Sequence, residues 1–179
     1  MSRCIRSFND ISPNICKSAY VDESAVVIGD VTIKEDSSIW PLVSIRGDLL
    51  NITIGSCSNV QDCSTLHTAE YPKGSGEGFD LVIGDYTVVG HGAVLHGCHI
   101  GNETLIGMGS IILDGAVIGN NVIVGAGSLV PPGKVLESGY MYLGSPVKQI
   151  RKITDKEKED IIGNAKHYVS TKNKYKKNN

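Results

Sequence analysis

Aliphatic residues recur every six positions through most of this 179-residue chain, and no other feature limits its fold as tightly. One run holds Val21, Val27, Ile33, Ile39 and Ile45. A second holds Ile54, Val60 and Leu66, and a third Ile83, Val89 and Leu95. The longest runs Ile100, Ile106, Ile112, Ile118, Val124 and Val130. Glycine often follows the aliphatic residue, as at Gly84, Gly90, Gly101, Gly107, Gly119 and Gly125. A small or β-branched residue sits four positions after it at Thr87, Ala93, Thr104, Ser110, Ala116, Val122 and Ser128. A helix repeats every 3.6 residues and a two-faced strand every 2, so neither accounts for six. A coil of short parallel strands does, burying the aliphatic and small residues and turning at glycine. The expected fold is therefore a mainly β, parallel β-helix, whose coils are stabilised by stacking on their neighbours.

Residues 1–150 are assigned to this repeat domain and residues 151–179 to a C-terminal helix with a disordered basic tail. Thr154 and Glu157 match a capping box, and Ile161, Ile162, Ala165, Tyr168 and Val169 form an apolar stripe at helical spacing, predicting about four turns. Lys172, Lys174, Lys176 and Lys177 make the extreme terminus basic while the body is acidic. A solvated tail is expected rather than a nucleic-acid or membrane contact. No apolar run approaches the roughly 18 residues that cross a bilayer, so no membrane role is expected. The five cysteines are odd in number and scattered, and no apolar leader precedes Pro13. That pattern argues for a cytoplasmic protein rather than a secreted disulfide scaffold. Two interruptions break the repeat, three extra residues near Leu49–Asn51 and the Gly-rich stretch Thr68 to Asp80. Both read as loops.

Four of the five histidines fall between positions 67 and 99. With three hexapeptides per triangular coil, positions 45, 66 and 95 share a face. Arg46, His67 and His96, each the next residue, then stack in successive coils. Strands about 4.8 Å apart suit two imidazoles on one tetrahedral zinc, whose nitrogens lie about 3.4 Å apart. His91 counts onto a different face, so a third ligand from an adjacent subunit would complete a three-histidine site. The alternative is that each histidine packs or bonds at a turn. His99, counted onto an inward small-residue position, and His167, on the helix, read as structural. A zinc site that uses Cys57, Cys63 or Cys98 is a further alternative, set against small buried thiols that merely pack.

The segments Ser44–Asp48, Ser58–His67, Gly90–Gly97, Leu105–Gly109 and Leu143–Pro146 resemble the γ-class carbonic anhydrase-like proteins of the left-handed β-helix, hexapeptide-repeat superfamily. The resemblance spans roughly Pro13 to Arg151. It implies a homotrimer with sites at subunit interfaces, in which His67 and His96 of one chain and His91 of the next bind Zn2+ and the substrate pair is CO2 and bicarbonate. Three imidazoles also accept Fe2+ or Co2+. Within the resemblance Arg46 helps bind bicarbonate, Gln61 orients water, Asp48 and Asp62 hold these groups, and Glu70 matches a proton shuttle. Alternative readings are a surface Arg46 paired with an aspartate, turn-forming Gln61 and Asn59, and a solvated Glu70. Leu49 stands where the archetypal enzyme has a glutamate, which argues for slow proton transfer. Other functions compatible with the fold are coenzyme A thioester hydrolysis, acyl transfer, or a non-catalytic trimeric assembly role.

Overall fold

The computed structural model describes residues 4–75 and 77–178, apart from the side chain of Asn178. The repeat residues do what their spacing requires. Val27, Ile33, Ile39, Ile45, Leu66, Leu95 and Ile106 are all buried, as are Thr87, Ala93, Thr104 and Ser110. They fill the interior of a left-handed parallel β-helix of about eight coils. Strands pair in parallel with their counterparts one coil away; among the described residues the antiparallel strand pairs are the end hairpin, Tyr140–Gly144 with Val147–Lys152, and the short pair Ala69–Glu70 with Gly78–Phe79. Turn positions take left-handed backbone: Gly92, Gly109 and Gly127 at φ 66, 66 and 65° mark one corner in successive coils.

Three expectations need correction. The extra residues near Leu49–Asn51 are no loop: Ser44–Ile54 is one continuous strand. Its partner, Val26–Ile33, pairs Gly29 with Gly47 and then Val31 with Ile52, so the added residues form a bulge. Asn51 holds that bulge by donating Nδ2 to Asp30 Oδ1 at 2.9 Å. His99 is exposed and points outward to Asp80, while its neighbour Cys98 fills the inward position.

The basic terminus is not a disordered tail either. The helix α1 spans Asp155–Asn178, 24 residues or about 36 Å, rather than four turns. It runs back along one face to the first coils, where Tyr168 and Tyr175 pack edge-on against Trp40 with ring centroids 5.3 and 5.2 Å away. Lys172 is buried, and its ammonium donates to Ser18 O at 2.8 Å, Asp36 Oδ1 at 2.9 Å and Asn173 Oδ1 at 2.8 Å. Lys176 caps Lys17 O and Ala19 O. Satisfied lysines thus continue a helix whose apolar stripe has ended.

At the other end of α1 the capping box forms. Thr154 N donates to Glu157 Oε2 at 2.8 Å, and Arg151 grips the same carboxylate with both terminal nitrogens. Arg151 first, then the Thr154 amide, pulls the Glu157 carboxyl down to about 2 from an ordinary value near 4.5. A depressed folded value stabilises above the unfolded pKa and is lost as pH falls through the folded one. Glu157→Gln should therefore lower the melting temperature at pH 7. The difference from wild type should close as pH falls from about 4.5 toward 2, as thermal unfolding at stepped pH will read.

Candidate metal centre

Register alone brings the first histidines together. Arg46, His67 and His96 pair as consecutive rungs of one ladder, each following a buried aliphatic residue, Ile45, Leu66 or Leu95. His67 Nδ1 lies 3.1 Å from His96 Nε2. The outer nitrogen of each ring meets a carboxylate: His67 Nε2 is 3.0 Å from Asp48 Oδ1, and His96 Nδ1 bonds Asp114 Oδ1. Asp48 also accepts from Arg46.

Charge is distributed accordingly. Burial pushes the Asp48 carboxyl up, but hydrogen bonds from Arg46 and His67 outweigh it and hold the group below its usual range. Burial pushes His67 down, Arg46 and His96 add to that, and the Asp48 contacts oppose it, so the ring is biased to the neutral form that ligates metals. The pair opens into a cleft of about 490 Å³ that Leu49, Glu70, Lys73 and Asp114 also line. Glu70 accepts from Gly74 N at 2.6 Å within its hairpin.

The remaining sequence-identified residues lie elsewhere. His91 and Asp62 stack at another corner, Nδ1 to Oδ2 at 3.0 Å. A second cleft, of about 350 Å³, runs there between the strands and α1, lined by Gln61, His91, Met108, Asn164 and Tyr168. Gln61 is buried and donates Nε2 to Asn59 Oδ1 at 3.1 Å. Thus in one chain His67, Glu70 and His96 line one cleft, with Asp48 and Arg46 bonded in turn behind His67, while Gln61 and His91 line another, with Asp62 beside His91. Among the described residues no group of three or more His, Cys, Asp or Glu side chains within the chain is arranged to hold a metal ion. Cys98 offers no substitute, because it is buried in the core and burial pushes its thiol up to about 12.

The two rings fit a tetrahedral metal in separation and in kind, since two nitrogens about 3.4 Å apart share one ion and each ring is oriented by a carboxylate. Asp114 escaped the sequence reading. Its only signal is an offset of 18 residues, one full coil, from His96.

Comparison with known proteins identifies the family and the fold. The family profile for bacterial transferase hexapeptide (six repeats) matches residues 97–132. Protein YrdA of Escherichia coli is 52% identical over 175 residues, 98% of this chain and 95% of its own. A probable carbonic anhydrase of Methanocaldococcus jannaschii is 48% identical over 155 residues, covering 87% of this chain and 93% of the relative. This chain belongs to the γ-class carbonic anhydrase-like family. A solved structure of the same fold, a putative acetyltransferase from Bacillus cereus, superposes with a TM-score of 0.92 at 40% identity over 98% of both chains. A γ-class carbonic anhydrase-like protein with Arg46 beside the histidine ladder carries a testable charge coupling. Arg46→Ala removes a positive neighbour of His67 and frees Asp48 to act on it. The His67 pKa in metal-free protein should therefore rise, as an NMR pH titration will read.

Proposed function

We propose that this protein is a zinc-dependent carbonic anhydrase that interconverts CO2 and bicarbonate at sites shared between subunits of a homotrimer. The observation that carries this reading is the split itself. Two carboxylate-backed imidazoles 3.1 Å apart lie on one face, and a third carboxylate-backed histidine lies at another corner. In a cyclic trimer the face of one subunit meets the corner of the next. His67, His96 and His91 of the next subunit would hold the ion, leaving a fourth position open. Zinc held this way supplies Lewis acidity that makes water a competent nucleophile near neutral pH.

The chain's own residues do the rest. Arg46, one rung from His67 and partly exposed, receives the anionic product while Asp48 balances its charge. Gln61, held by Asn59, orients water from the His91 side. Leu49 makes the cleft wall apolar where a carboxylate would carry protons, and Asp114 in the same cleft is engaged by His96, so Glu70 is left to carry protons and their release limits turnover. Five free thiols suit a cytoplasmic, reducing compartment. A second reading, acyl-group chemistry on thioesters, is favoured by the Bacillus cereus relative's description and by a cleft larger than CO2 needs. Measurable acetyl-coenzyme A turnover without CO2 hydration would select it.

The decisive experiment uses two inactive chains. A His91→Ala chain and a His67→Ala/His96→Ala chain each lack a complete ligand set. After co-refolding at equal amounts, an interface works only when the first supplies the pair and the second supplies His91. About a quarter of wild-type zinc content and CO2 hydration should return. No rescue would mean that the site is not shared.

A further inference from the structure

We propose that Asp114 is a positioning residue for the metal centre, which keeps the ligating nitrogen of His96 free of a proton; this rests on the metal-site reading above. A carboxylate only accepts hydrogen bonds, so the nitrogen facing it carries the hydrogen. Asp114 Oδ1 faces His96 Nδ1, and Asp48 Oδ1 faces His67 Nε2. The two inner nitrogens, His67 Nδ1 and His96 Nε2, therefore both present lone pairs, and they are aimed at each other across 3.1 Å. That arrangement is repulsive until a cation lies between the rings.

The competing state is available. If His96 carried its hydrogen on Nε2, it would donate directly to His67 Nδ1, and the pair would satisfy itself with no ion. Asp114 opposes that state by claiming the Nδ1 hydrogen, so the metal-free site is left unsatisfied and ready to bind.

The backbone around Asp114 is built for this approach. A side chain at Gly97 would place its Cβ 3.1 Å from Asp114 Oδ1 and 2.8 Å from Phe79 Cβ. One at Gly115, where φ is +68°, would meet the Phe79 ring at 2.9 Å. Two glycines thus admit the carboxylate beneath His96 and seat Phe79, the stem of the Glu70 hairpin, beside it. The Asp80–His99 pair supplies a contrast: its carboxylate also meets an imidazole, at 2.6 Å, but that ring faces no second histidine among the described residues.

Zinc affinity by competition with a chromophoric chelator tests the assignment on the intact protein. Asp114→Ala should weaken zinc binding about 10- to 100-fold. Asp114→Asn, whose carbonyl still accepts from Nδ1, should weaken it by less, and Asp80→Ala should leave it within about twofold of wild type. In parallel, 15N NMR of the metal-free protein should show His96 with its hydrogen on Nδ1 in wild type and shifted toward Nε2 in Asp114→Ala, a change that a merely structural role would not produce. Should the alanine chain not assemble, the asparagine chain gives both readouts. Asp114 variants that bind zinc as wild type does, or an unchanged His96 tautomer, would overturn the proposal. A wild type that binds no zinc would instead sink the metal-site reading, and the tautomer would still judge Asp114.

Discussion

Leu66 and Leu95 lie fully buried and directly paired in neighbouring coils, and the chemistry of the protein depends on that register. Because side chains alternate across a strand, a slip of one residue would turn His67 and His96 into the core and expose the leucines. Burying each leucine is worth roughly 2 kcal/mol, so the aliphatic ladder enforces the polar one beside it. The spacing between coils then sets the spacing between ring nitrogens, and no flexible loop is needed to assemble the pair.

The same rigidity explains why one chain stops short of a complete site. A triangular solenoid presents its faces in different directions, and its stacked coils cannot fold His91 round to His67. What each chain does provide is orientation: Asp48, Asp62 and Asp114 each meet one ring nitrogen of His67, His91 and His96. The contacts that aim each ring are thus complete within the chain, whereas on the proposed reading the ligand set is divided between chains. α1 belongs to this division, since Asn164 and Tyr168 wall the cleft beside His91 while Lys172 pins the helix to the first coils.

Features set by local repetition were legible in the sequence. The period of six placed Ile45, Leu66 and Leu95 inside, and counting in threes set Arg46, His67 and His96 on one ladder. Features set by contact between distant coils were not. Asp114 reads as an ordinary turn residue until the coil brings it under His96, and Lys172 reads as part of a solvated basic run until Ser18 and Asp36 close on its ammonium. The bulge at Leu49–Asn51 was visible as three surplus residues, but whether a strand absorbs them depends on the pairing partner, Val26–Ile33. His99 was misplaced by one position because Cys98, the much smaller side chain, takes the inward slot.

The central claim is a metal held by a ladder of one subunit and a corner of the next. Anomalous diffraction at the zinc edge from crystals of the zinc-loaded protein tests it most directly. One strong peak per subunit is expected, within about 2.1 Å of His67 Nδ1, His96 Nε2 and a nitrogen of His91 from a neighbouring chain. A peak liganded within a single chain, or none between His67 and His96, would contradict the account.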